Sequence, residues 1–267
     1  MKFSILTPTY NRAYTLQRLY DSICNQSIKN KKDLYEWIVV DDGSFDGTEK
    51  LVQSFIAEEK IKIKYFFQDN SGKPTAINNG VVNSSAEYIF IVDSDDVLAE
   101  DAISTLIDVD ILASNDFNDK LSGFCFRKAD LKGGVLGREV MGGDDYKLMT
   151  ATECGNFFLA DLAYVFKRAY LYDNKFPKFS SEKFVPELYV WNKITDIKPV
   201  LVFPKKVIYL CEYMNDGLSK NFPLELKNNP QGFGLFYKDQ IKREKSFVAK
   251  LKKMIRWSQC QIYLLCR

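Results

Sequence analysis

Asp93-Ser94-Asp95-Asp96 sets three carboxylates within four residues, directly after the apolar run EYIFIV at 87–92. Like charges at that spacing repel one another unless a cation or hydrogen-bond donors compensate. Such a cluster suits a hard divalent ion. Mg²⁺ and Mn²⁺ take oxygen ligands, and Mg²⁺ commonly binds one or two carboxylates plus substrate phosphates. The same four residues equally suit a solvated turn that caps the next helix. Asp41-Asp42-Gly43-Ser44 is a second acidic segment of this kind. Its carboxylates can accept from a nucleobase imide N–H or a ribose hydroxyl, or can cap a turn in which glycine supplies positive φ. Lys73 stands in SGKPTAINNG at 71–80, which lacks P-loop spacing. A lysine at a loop-to-helix junction can face a diphosphate; a solvated surface lysine is the commoner fate.

The chain has no histidine in 267 residues. That excludes Ser-His-Asp and Cys-His nucleophiles, imidazole bases and His-containing metal sites. Carboxylates, lysines, hydroxyls and thiols remain. The six cysteines show no CxxC spacing, which disfavours zinc and dithiol redox chemistry. Scattered cysteines in a chain of this size read as reduced and intracellular. A net charge of +2 makes no global demand for nucleic acid. No apolar run approaches the roughly 18–20 residues of a spanning helix, and no leader-like segment opens the chain. The expectation is a cytoplasmic α/β protein, with possible membrane contact confined to its surface.

The elements that must position these residues alternate over the first half. KFSILT at 2–7, EWIVVD at 36–41, IKIKYFF at 61–67 and EYIFIV at 87–92 read as strands. Leu16, Leu19, Tyr20 and Ile23 share one helical face in 13–26. Thr48 is the expected N-cap of a second helix, and 74–84 reads as a third. This strand–helix order predicts a parallel sheet with helices on both faces, its ligands beyond the carboxyl ends of the strands. Both acidic segments and TPTYNR at 7–12 fall at such ends. In the second half, 121–127 and 162–167 read as strands, 186–195 as a helix opened by Pro186, and 199–212 as two apolar runs. Residues 240–267 hold eight Lys/Arg against one acid, Glu244, with Phe247, Val248, Leu251, Met254 and Ile255 forming an apolar face. That basic amphipathic tail fits either a membrane surface or packing on the domain.

TPTYNR at 7–12, VVDDGSFDGT at 39–48, GKPTAINNG at 72–80 and IVDSDD at 91–96 resemble, in order and spacing, the family 2 glycosyltransferases of GT-A fold. The resemblance is strong over 3–98 and looser to about 220. It implies a Rossmann-like mixed sheet with helices on both faces. Residues 1–220 would form the transferase domain, 1–98 its nucleotide-sugar half and 99–220 its acceptor half, and 221–267 a basic helical extension. It further implies inverting transfer from a nucleotide-diphosphate donor, read here as a UDP-sugar, to a glycan or lipid-linked acceptor in bacterial cell-surface polysaccharide synthesis. By motif, the backbone around Thr7, Pro8 and Thr9, with Tyr10 and Arg12, would frame the nucleotide. Asp41 or Asp42 would contact the base, and Lys73, Asn78 and Ser94 would lie close by. Asp93 and Asp95 match the DxD motif that holds Mn²⁺ or Mg²⁺, Asp95 the more direct ligand. The general base would be Glu187, with Glu182 in reserve.

Many relatives carry a histidine near 209–221; here Asp216, Ser219, water or the diphosphate would complete the metal shell. A sugar-phosphate nucleotidyltransferase would need a glycine-rich basic loop after the first strand, and TPTYNR has no glycine. A phosphoacceptor signalling domain would place its acidic pair after the first strand. A non-catalytic nucleotide-sugar or glycan binder is opposed by the intact DxD.

Overall fold

The computed structural model describes residues 1–28, 31–212 and 221–266. Its first half runs β1 (Phe3–Thr9), α1 (Ala13–Cys24), α2 (Lys31–Leu34), β2 (Tyr35–Asp41), α3 (Thr48–Ala57), β3 (Lys62–Phe67), α4 (Lys73–Asn83) and β4 (Tyr88–Ile91). It continues through β5 (Val97–Leu98), α5 (Ala102–Asp116), β6 (Gly123–Asp130), β7 (Lys147–Met149), α6 (Ala151–Phe158), β8 (Leu162–Lys167) and α7 (Arg168–Asp173). The last elements are α8 (Leu188–Ile197), β9 (Val200–Cys211), α9 (Phe222–Asn228), α10 (Pro230–Arg243) and α11 (Phe247–Leu265).

These strands form one sheet of order β3-β2-β1-β4-β8-β6-β9-β5, with β7 beside β9. The strands β1 to β4 are mutually parallel. Beyond β4 the sheet turns mixed: β8 runs antiparallel to β4 and to β6, while β6 and β9 are parallel. The parallel expectation from the first half therefore holds as far as β4, and the mixed sheet implied by the resemblance describes the whole.

Successive strand residues point to opposite faces, and both faces are covered. Ile5, Trp37 and Val39 pack with Leu16, Leu19, Phe55 and Leu106 from α1, α3 and α5. Leu6, Ile38 and Val40 pack with Ile77, Phe158, Val190 and Ile194 from α4, α6 and α8. That two-sided burial explains why β1 and β2 read as continuous apolar runs. A smaller cluster of Leu226, Phe233, Tyr237 and Cys260 joins α9, α10 and α11, with Phe184 against it.

Three local expectations shift. Thr48 is the first residue of α3 rather than its cap; Gly47 at φ 91° occupies that position, and the Asp46 carboxylate accepts from the Thr48 N–H and hydroxyl. Helix α8 begins at Leu188, with Pro186 upstream of it. The two apolar runs at 199–212 are one strand, β9, whose pairing with β6 shifts register between Phe203 and Val207. Pro204-Lys205-Lys206 marks that irregularity, where Pro cannot donate to the ladder.

Candidate active site

The carboxyl ends of β1, β2 and β4 open into a cleft of about 770 Å³, walled on the far side by residues of 160–164, 183–191 and the α9–α10 region. The convergence follows from topology, since parallel strands end on the same edge of the sheet.

Pro8, Thr9, Tyr10 and Arg12 line the cleft. Thr7 does not: it is fully buried, and its hydroxyl accepts from the Trp37 indole N–H at 3.0 Å. Asp41 is likewise turned inward. Its carboxylate accepts from the Ser44 N–H at 2.8 Å and the Tyr65 hydroxyl at 2.7 Å. Asp42 faces the cleft and accepts from Gln68 Nε2, the Ser71 N–H and the Gly72 N–H at 2.7–2.8 Å. Asn78 is spent on structure, clamping both backbone groups of Phe176 at 2.9 Å. The side chains of Thr7, Asp41 and Asn78, three of the expected nucleotide contacts, are thus each held by partners within the protein.

Gly72 is required at its position. Its φ is +92°, and a Cβ there would lie 1.9 Å from the Lys183 carbonyl oxygen. This close approach brings the 183–187 loop over the start of α4, where Lys73 emerges. Lys73 Nζ then bridges Asp93 Oδ1 at 2.5 Å and Glu187 Oε1 at 2.7 Å. Burial opposes its charge, but the two carboxylates more than offset this, and the ammonium pKa is raised.

Asp93, Asp95 and Asp96 each present a carboxylate oxygen, all within 4.8 Å of one another. Burial disfavours ionisation of Asp93, but Lys73 and Lys128 outweigh it and hold its carboxyl below the usual range. Asp95 is pushed up, first by burial and then by the charge of Asp93. Asp96 is pushed up to about 6 by burial and by Asp93, against a hydrogen bond from Tyr209. The Tyr209 hydroxyl donates to Asp96 Oδ2 at 2.6 Å and accepts from the Asp93 N–H at 3.0 Å. The Glu212 N–H occupies Asp96 Oδ1 at 3.0 Å. Asp96 is therefore an orienting group behind Asp93 and Asp95. Arg18 Nη2 holds the Asp95 carbonyl at 2.6 Å.

An all-oxygen set of close, mutually repelling carboxylates fits a hard divalent ion, whose charge would relieve the repulsion. Asp93 and Asp95 are the residues that would hold it. The histidine substitutes Asp216 and Ser219 lie outside the described residues.

Glu187 lines the cleft, immediately before α8. The reserve carboxylate Glu182 is elsewhere. It is 6% exposed, and its two oxygens accept from the Gln231 and Gly232 N–H groups at 2.9 Å. It complements the N-terminus of α10, where backbone donors lack helical partners.

Lys128 and Tyr209 were not anticipated. Lys128 Nζ lies 4.1 Å from the centre of the Tyr209 ring and lines the cleft beside Asp93. No local pattern marks either residue, because β6 and β9 reach the site through sheet order.

The family model described as glycosyl transferase family 2 matches residues 4–110. A GalNAc(5)-diNAcBac-PP-undecaprenol beta-1,3-glucosyltransferase of Campylobacter jejuni is 32% identical over 233 residues, covering 82% of this chain and 69% of that protein. Glycosyltransferase GlyA of Streptococcus pneumoniae is 37% identical over 105 residues, which cover 39% of this chain but 14% of GlyA. The chain thus spans a minor part of several curated relatives that it matches, 24% and 32% of two others. Staphylococcus aureus TarS 1–349 in complex with UDP-GlcNAc superposes with a TM-score of 0.65 at 20% identity, over 98% of this chain and 72% of that one. At that identity the likeness is one of fold, and the fold is GT-A. Together with the Campylobacter relative and the ordered strand-end motifs, it follows that the chain belongs to glycosyl transferase family 2.

Proposed function

We propose that this protein transfers a sugar, with inversion, from a nucleoside diphosphate donor to a hydroxyl of a glycan or lipid-linked acceptor in cell-surface glycan synthesis. The carrying observation is the gathering of Asp42, Lys73, Asp93, Asp95 and Glu187 around one cleft. The undecaprenol-linked substrate in the name of the Campylobacter relative supports the acceptor class. The UDP-GlcNAc bound to TarS supports a UDP-sugar donor.

Each residue then has a task. Tyr10 and Arg12 border the nucleotide. Asp42 receives three N–H donors, and a carboxylate offers about four acceptor positions, so capacity remains for a base imide. Lys73 supplies positive charge to the diphosphate. Mn²⁺ or Mg²⁺ held by Asp93 and Asp95 would neutralise charge on the leaving group. Glu187 takes the proton of the acceptor hydroxyl as its oxygen bonds to the anomeric carbon. The bond from that carbon to the diphosphate oxygen breaks on the opposite face, and the nucleoside diphosphate leaves with the bonding pair. Before substrate enters, Lys73 pairs with both Asp93 and Glu187. Transfer of the lysine to the diphosphate frees the base.

Nucleoside diphosphate release from a panel of UDP- and GDP-sugars, with Mn²⁺, Mg²⁺ or EDTA, tests the reading. Metal-dependent turnover of one donor is expected. If no donor turns over and Asp95→Asn alters neither donor binding nor turnover, the assignment fails.

A further inference from the structure

Helix α11 is 19 residues long and carries Lys250, Lys252, Lys253 and Arg256 with no Asp or Glu. One side packs inward. Cys260 is fully buried, and Trp257 and Tyr263 join it against Phe233 and Tyr237. Among the described residues, no element covers the opposite side. Phe247, Val248, Leu251, Ile255, Ile262 and Leu265 are exposed, from 46% at Leu251 to 88% at Leu265. At 100° per residue these six positions share an arc of about 100°. Lys250 lies on one margin of that stripe and Lys252 on the other, while Arg256 turns toward the packed side, its guanidinium 5.3 Å from the centre of the Phe222 ring.

Of the two alternatives for the tail, packing on the domain is seen on one face, which docks on α10, and the other face stays open. The cations also stand in the first half of the helix, where the helix dipole favours anions. The helix's own electrostatics do not account for them.

We propose that α11 is the docking surface for an anionic lipid bilayer. It lies in the headgroup plane, with its apolar stripe at the acyl boundary and its flanking cations on lipid phosphates. The charge pattern selects this occupant over a second copy of the chain. A two-fold contact through this helix brings cations toward cations, and the helix has no acid to meet them. No helix among the described residues is long and apolar enough to cross a membrane, so the contact is interfacial. Helix α10, on which α11 packs, contributes Phe236 to the cleft wall, which links the docked face to the acceptor side of the cleft. The docking proposal stands on α11 alone and does not depend on sugar transfer.

Vesicle sedimentation of the whole chain tests it, using phosphatidylcholine alone or mixed with phosphatidylglycerol, at low and high salt. The expected result is at least about tenfold tighter binding to the anionic vesicles, weakened by salt. Leu251→Asp with Ile255→Asp abolishes binding, and Lys250→Gln with Lys252→Gln removes the anionic preference. Unchanged circular dichroism and Tm establish that these surface variants fold. Wild-type protein left in the supernatant, equal binding to both vesicle types, or retained binding by the aspartate variants overturns the proposal. So does a dimer, seen by light scattering, that the aspartate variants dissociate while wild type ignores vesicles. Donor hydrolysis is measured on the same samples: vesicle binding without hydrolysis defeats the transferase reading alone, and hydrolysis without binding defeats docking alone.

Discussion

At the end of β2 the carboxylates are satisfied. Asp41 holds Ser44 and Tyr65, and Asp42 holds Gln68, Ser71 and Gly72. At the end of β4, two strands away, the acids are crowded. Three carboxylate oxygens lie within 4.8 Å, the Asp95 and Asp96 carboxyls are pushed up, and one lysine serves both Asp93 and Glu187. Composition is nearly the same at the two ends; what differs is that Asp93, Asp95 and Asp96 face one another, and of the three it is Asp96 that the Tyr209 hydroxyl and the Glu212 N–H supply. A carboxylate that receives its donors from neighbouring backbone stabilises a turn. One that lacks them is set for a charge that arrives with a ligand.

The largest expected effect breaks the crowded end. Asp95→Asn should lower metal-dependent transfer by about a thousandfold, the several kcal/mol that Lewis-acid stabilisation supplies. The same variant should melt no lower than wild type in EDTA, because it removes a repelled charge. A Tm drop of several degrees would instead make Asp95 architectural, like Asp41. Next is Glu187→Gln, which removes the proposed base and one anion beside Lys73. A kcat loss of about a hundredfold or more is expected, with donor KM changed little. Steady-state kinetics separates the two parameters.

The contrast also explains what could be read from the amino acids. Strands β1, β2 and β4 were legible because each is buried on both faces, and the half-exposed edge strand β3 because its residues alternate; all four are bounded by turn chemistry. The acidic strand ends were legible because parallel strands share an edge. The division of labour within each end was not. Asp41 and Asp42 are adjacent and chemically identical, and their roles separate through Tyr65 on β3 and Gly72 ahead of α4. Glu182 was the reserve for Glu187 in the sequence, and both its oxygens are claimed by the start of α10, 49 and 50 residues further along. Lys128 and Tyr209 reach Asp93 through sheet order, which local periodicity does not encode. The basic tail showed its charge and its apolar face, but which residues stay open depends on the packing of Cys260 and Trp257.

Smaller effects sharpen the satisfied end. Asp41→Asn keeps the size of the side chain but replaces one acceptor oxygen with a donor that faces the Ser44 N–H or the Tyr65 hydroxyl. Loss of about 1–3 kcal/mol of stability is expected, measured by urea unfolding. The kcat of the folded fraction should stay close to wild type, because Asp41 is fully buried and off the cleft. A kcat loss comparable to that of Glu187→Gln would return Asp41 to the donor site.

The start of the same strand gives the smallest and most specific test, through pH. Glu36 is fully buried and accepts from the Ser4 hydroxyl at 2.8 Å, with Lys64 Nζ at 2.9 Å. Burial alone would raise its carboxyl pKa, but Lys64 and Ser4 outweigh that and lower it. A carboxyl whose folded pKa is depressed adds stability above its unfolded value, and the stability is lost as pH falls through the folded value. Acidification below the ordinary glutamate range should therefore weaken the fold, and Glu36→Gln should flatten that part of the stability curve while lowering its neutral plateau. An acid limb unchanged in the variant would show that Glu36 is not one of the carboxylates whose protonation loosens the sheet. The stabilising acids of β2 would then reduce to Asp41 and Asp42 at its other end.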